Sequence, residues 1–150
     1  MLNEDFSEML SALSAESVEY LLVGAYALAA HGLPRATGDM DVWLRCTEPN
    51  AERAWRALAR FGAPMEGLTP ADLAKPGMVI QIGVAPCRID LLTSIDGVAF
   101  EDAAPRGVAI ELGALSVPVI SRQDLAANKR ACGRPQDLAD LDALERLGDE

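Results

Sequence analysis

Gly38-Asp39-Met40-Asp41-Val42-Trp43-Leu44 is the stretch that decides how this chain is read. Side chains on a strand alternate between faces, so Asp39 and Asp41 project from one side and Met40, Val42 and Leu44 from the other. The apolar set predicts a strand over residues 39–45 with a buried face. Two acids adjacent on the opposite face repel each other and resist desolvation. They call for a positive partner, of which a divalent cation is the simplest. A solvated acidic strand end is the plain alternative.

A second segment bears on that choice. Cys87-Arg88-Ile89-Asp90-Leu91-Leu92-Thr93 sets one acid within another apolar run, and predicts a strand over residues 88–93. A carboxylate there is costly unless paired or metal-bound. Arg88, two residues away on the same face, offers a structural salt bridge. Three carboxylates on neighbouring strands are equally the donor set of two-metal phosphoryl transfer. In that chemistry two acids bracket both ions, and the third helps hold the ion that activates the attacking hydroxyl.

Upstream, residues 18–23 predict a buried strand ending at Gly24, and the alanines of residues 25–30 a helix. Gly24-Ala25 is thus a strand-to-helix turn of small residues. Such a turn lets backbone N–H groups approach a phosphate, although tight packing alone also selects it. Gly32 and Pro34 stop the helix, with His31 read as a structural cap. The loop that follows carries Arg35, which suits either bidentate binding of triphosphate oxygens or neutralisation of the strand acids. Thr37, in the same loop, suits a turn better than a ligand, and is kept among the nucleotide-binding candidates.

Farther out, helical spacing predicts helices over residues 4–13 and 49–61, the second closed by Gly62. Strands are expected at residues 78–83, with a turn around Ala85-Pro86, and as a pair at 107–112 and 115–120. Helices over 122–131 and 136–147 flank a break at Gly133-Arg134-Pro135. The expected fold class is therefore α/β (α+β), a mixed central sheet flanked by helices, with 1–150 as a single domain. Trp43 and Trp55 read as packing residues. Asp140, Asp142 and Glu145 read as the solvated face of the last helix, and Arg134 as either a phosphate ligand or a cap.

Composition sets outer bounds. The chain has 150 residues, of which 50% are hydrophobic, and 13 basic residues against 23 acidic give a net charge of −10. That balance excludes a broad basic surface for nonspecific nucleic-acid binding, though not a local basic groove. Cys46, Cys87 and Cys132 lack zinc-type spacing and read as reduced thiols. No apolar run approaches a membrane span, and no export signal is evident, so no membrane association and a cytoplasmic location are expected.

Together, Gly24-Ala25, Asp39-x-Asp41 and Asp90 resemble the motifs of the nucleotidyltransferase superfamily that includes DNA polymerase beta. The stretch from Val23 to Trp43 is more specifically similar to the AbiEii-type toxin nucleotidyltransferases of type IV toxin–antitoxin systems and their small relatives. That stretch includes Ala30-His31-Gly32 and Pro34-Arg35-Ala36-Thr37. Lys129, Arg134-Pro135, Asp137-Leu138 and Asp140-Leu141 are similar to the final motif of that group. The resemblance implies a nucleotidyltransferase fold with C-terminal helices, and Asp39, Asp41 and Asp90 as both catalytic and metal-binding residues. Mg²⁺ or Mn²⁺ is the implied cofactor, with Asp90 holding or orienting the base for the acceptor hydroxyl. Gly24 and Ala25 would present N–H groups to a nucleoside triphosphate, Lys129 would reach its phosphates, and Asp137 would position Lys129 or the acceptor.

The implied activity transfers a nucleoside monophosphate to a hydroxyl of RNA or protein, with a cognate antitoxin as partner. Ala25 stands where the superfamily carries glycine or serine, so no hydroxyl reaches the phosphate there. Two other readings share the same residues. One is a regulatory partner that keeps the fold without turnover. The other is an adenylyltransferase acting on a small molecule such as an antibiotic.

Overall fold

Tyr20, Leu21, Leu22 and Val23 are all buried, and this run forms the strand β1 (Tyr20–Val23) in the middle of the sheet. The computed structural model describes residues 3–35, 38–84 and 87–148, so Thr37 and the expected Ala85-Pro86 turn lie outside the described residues. The remaining strands are β2 (Asp39–Leu44), β3 (Val79–Ile82), β4 (Arg88–Leu92), β5 (Val108–Leu112) and β6 (Leu115–Val119). Their order is β3-β4-β2-β1-β6-β5. The β2–β4 and β1–β6 pairs are parallel and the other neighbours antiparallel, which makes a mixed sheet.

The helices are α1 (Glu4–Ala15), α2 (Gly24–Ala30), α3 (Glu48–Phe61), α4 (Phe100–Ala103), α5 (Arg122–Cys132) and α6 (Pro135–Gly148). Their ends follow local chemistry. Thr47 accepts from the Asn50 N–H to cap α3, and Gly62, at φ 89°, closes it in the left-handed conformation. Ser121 caps α5 in the same way, and Gly133 ends it at φ 68°. Among the described residues no helix is long and apolar enough to cross a membrane.

The alternation along β2 holds. Met40, Val42 and Leu44 are at most 1% exposed, whereas Asp39 and Asp41 are only partly covered. Trp43 shares the acids' face but lies deeper, packed edge-on against Phe100 with ring centroids 5.1 Å apart. The strand expected from residue 18 starts at Tyr20, because Ser17 takes a positive φ of 56° and the Val18 N–H still donates to Leu13 O. The 3₁₀ turn Pro70–Ala74 and the single-turn helix α4 have no counterpart in the expected elements, being too short to show a period. Buried Asn50 fastens α3 to the sheet: its Oδ1 accepts from Glu19 N, and its Nδ2 donates to Glu19 O and Arg45 O. Cys46, Cys87 and Cys132 are all free thiols.

Candidate active site

Strand register brings the acids together. Asp41 pairs with Val23 on β1 and with Asp90 on β4, and Asp90 pairs in turn with Gln81 on β3. Residues in register share a face, so Asp41 and Asp90 stand side by side, with Asp39 two residues along β2. Asp90 is 7% exposed. The Asp41 carboxyl is pushed up to about 6, first by burial and then by the charges of Asp90 and Asp39 and a hydrogen bond with Asp90, with Arg88 opposing.

Gly24 explains how Asp41 fits. It joins β1 to α2 at φ +66°, and a Cβ built there would lie 2.1 Å from Asp41 Oδ2. The carboxylate therefore occupies the space that any side chain at position 24 would need. Gly24 and Asp41 line a cleft of about 580 Å³ together with Lys129, Arg134 and Asp137. Ligand pockets commonly span roughly 300–1,000 Å³. Ser94, Asp96 and Asn128 add polar groups to the cleft, and Val79, Leu92 and Ile95 add apolar ones.

The C-terminal helices supply the charged wall. Lys129 Nζ, on α5, lies 3.4 Å from Asp137 Oδ1 and 3.2 Å from Asp140 Oδ2, both on α6. Arg134 donates to Asp137 at 2.7 Å, so its guanidinium binds a carboxylate rather than helix carbonyls. That bond, the largest of several causes, holds the Asp137 carboxyl below the usual range.

Asp140 corrects the reading of α6. It is 2% exposed and is not part of a solvated face. Arg35, Lys129 and Gln136 surround it. Burial would raise its carboxyl, but hydrogen bonds from those three residues outweigh burial and lower it. Asp142 and Glu145 do lie on the exposed side. Arg35 is accordingly engaged with Asp140, which ties the loop leading to Asp39 onto α6. His31, at the end of α2, bonds through Nε2 to Ile120 O at 2.8 Å, a structural contact.

Neutralising the strand acids falls to Arg88. Its Nε and Nη2 fork onto Asp90 at 2.8 and 3.1 Å, and Nη2 also reaches Asp39 Oδ2 at 3.3 Å. The salt bridge foreseen within residues 88–90 thus extends across to β2, a link that depends on strand register and cannot be read from spacing.

The cluster around Lys129 yields a direct test. Lys129→Met removes one cation from two buried aspartates that keep Arg134 and Arg35. It is expected to cost about 2 kcal/mol at pH 7 by urea denaturation. Both carboxyls titrate lower in the folded protein, so their contribution is present above the unfolded value and lost as pH falls. The gap between variant and wild type should therefore close below about pH 4.

No family model matches the chain, and no curated protein matches it. Among solved structures, a "putative nucleotidyltransferase" from Thermotoga maritima superposes with a TM-score of 0.57 at 14% identity, over 97% of this chain and 91% of that chain. The chain has the nucleotidyltransferase fold.

The motif resemblance of Asp39, Asp41 and Asp90 implies a divalent cation, and the donors can be tested against one. Asp39, Asp41 and Asp90 are hard oxygen donors on one face, as Mg²⁺ or Mn²⁺ requires. The Asp41 carboxyl is raised by burial first and by the charges of Asp90 and Asp39 after it. No three His, Cys, Asp or Glu groups among the described residues stand as a ready ligand set, and Arg88 bonds Asp90 and Asp39. The donors therefore fit in kind, but they are not placed to hold an ion together.

Proposed function

We propose that this chain is a divalent-metal-dependent nucleotidyltransferase that moves a nucleoside monophosphate from a nucleoside triphosphate to a hydroxyl of RNA or protein. The supporting observation is the seating of Asp41 against side-chain-free Gly24, in a cleft that Lys129 and Arg134 also line. Gly24 and Ala25 offer backbone N–H groups to the triphosphate. Lys129, held by Asp137 and Asp140, supplies a positive charge to the phosphates. Asp39 and Asp41 would hold Mg²⁺ or Mn²⁺, which would neutralise triphosphate charge and activate the attacking hydroxyl. Asp90 orients the acceptor hydroxyl and receives its proton, and pyrophosphate leaves in line. The residue pattern of 23–43 and 129–141 supports an AbiEii-type toxin as the biological setting.

A chain that binds nucleotide without turnover is the second reading. It is favoured by Arg88 on Asp39 and Asp90, and by Ala25, which has no hydroxyl. Incubation with labelled nucleoside triphosphates, Mg²⁺ and bulk RNA or cell protein separates the two. Label is expected on a macromolecule with wild type, and at background with Asp39→Asn. Persistent transfer by that variant would remove the site, and nucleotide binding without transfer would select the second reading.

A further inference from the structure

We propose that Asp96 selects ribonucleotides: its carboxylate accepts from the ribose hydroxyls of the nucleoside triphosphate and so fixes which end of the cleft takes the sugar. The inference rests on the nucleotide-binding part of the reading above and adds a specificity-determining residue to that cleft.

Charge is unevenly spread in the cleft. Lys129 and Arg134 bring cations to its wall, and Asp137 beside them is already paired with both. Asp96 lines the same cleft, is exposed, and forms no ion pair among the described residues, although Arg134 lies within its field. Its Oδ2 meets the Cys132 thiol at 3.7 Å, and its Oδ1 takes no hydrogen bond among the described residues. A carboxylate so placed repels a triphosphate, and weakens a nucleotide site unless the nucleoside itself donates to it. Ribose hydroxyls are such donors, and an acidic side chain accepts from them in dinucleotide sites of other folds.

The groups around Asp96 suit a sugar. Asn128 Nδ2 donates to Asp96 O at 2.9 Å, which fixes the direction of the amide and leaves Oδ1 as a second acceptor. Ser94 Oγ accepts from the Gly77 N–H at 2.9 Å, so its own proton stays available for a sugar oxygen. The backbone holds Asp96 in place. Ile95 and Val98 bridge across the turn, and a Cβ on Gly97 would lie 2.6 Å from Ala131 Cβ, so the turn is pressed against α5. Leu92 follows Asp90 on the same face of β4, roughly 7 Å farther along. Val79 pairs with it from β3 and is 56% exposed. With Ile95 these side chains offer a base an apolar surface beyond the acids, while Gly24 and Lys129 take the phosphates.

Isothermal titration calorimetry of the purified protein with ATP, GTP, CTP and UTP, each against its 2′-deoxy counterpart, tests the inference. Wild type is expected to bind the ribose form about twentyfold more tightly, as loss of a hydroxyl bonded to a charged group implies. Asp96→Ala should bring the two forms within about threefold of each other. It should also bind the deoxy forms at least as tightly as wild type, because the repelling charge is gone. A sugar preference that survives Asp96→Ala, or none in wild type, overturns the inference and leaves nucleotide binding standing. A preference among bases, lost in Asp96→Ala with no sugar preference beside it, would assign the carboxylate to a base amino group and overturn it equally. No nucleotide bound by wild type, with or without Mg²⁺, removes the transferase reading as well. Should Asp96→Ala fail to fold, Asp96→Asn keeps the shape without the charge and should lower the preference below about fivefold. A full preference in that variant overturns the inference.

Discussion

Asp41→Asn should reduce nucleotidyl transfer about a thousandfold and, in the absence of metal, make the protein more stable at pH 8. The loss of activity follows from position. Asp41 is the strand acid that lines the cleft, in register with Asp90 and against Gly24. An amide there carries no charge to hold a hard cation, and losses of about 10²–10³ accompany removal of one electrostatic stabiliser in a preorganised site. The gain in stability follows from the same crowding. The Asp41 carboxyl lies at about 6 in the folded protein against an ordinary value of 3.8. Between those values the folded state keeps a proton that the unfolded state has lost. Stability from this group is full below about pH 4 and falls away as pH rises through 6. Asparagine does not ionise and escapes that loss, so the variant should lead wild type by on the order of 2 kcal/mol at pH 8 and match it at pH 4. Urea denaturation with a chelator present measures both points. A variant less stable than wild type at pH 8 would show that the carboxylate is well compensated without metal.

Gly24→Ala is expected to cost about 3 kcal/mol, more than any other single methyl addition in the site. Two penalties combine. At φ +66° an L-residue carries roughly 1–2 kcal/mol of backbone strain, and a Cβ 2.1 Å from Asp41 Oδ2 forces the carboxylate out of its seat. Pairing with Asp41→Ala separates them. In that background the cost of Gly24→Ala should drop to about 1 kcal/mol, the strain alone. An unchanged cost in the double variant would mean that the two positions do not compete for space.

Much of this architecture can be read from local pattern, because its main elements carry their own signals. The alternation in residues 39–44 announces β2, and Gly62 and Gly133 end α3 and α5 where the left-handed conformation is required. The 3₁₀ turn Pro70–Ala74 and the four-residue α4 lack a full period and stay hidden. The acids of the site stand out for their chemistry, as carboxylates within apolar runs. Their partners do not. Asp140 looks solvated in any helical projection of α6, because the groups that enclose it include Arg35, 105 residues away, and Lys129 on another helix. Arg88's reach to Asp39 depends on β2 and β4 lying parallel and in one register. Local sequence sets the elements, and long-range register sets which charges meet.

The bond between Arg35 and Asp140 has a consequence for the order in which the chain is made. β2, which carries two of the acids, emerges from the ribosome long before α5 and α6, which bring Lys129, Arg134, Asp137 and Asp140. Parallel pairings such as β1–β6 must also wait for distant partners, and non-local pairing is slow. A nascent chain therefore displays its acids without the cationic wall of the cleft, and with the Arg35 loop unanchored, until α6 docks. Assembly of α6 then works as a timing device, withholding a complete cleft until that helix has been made and has docked.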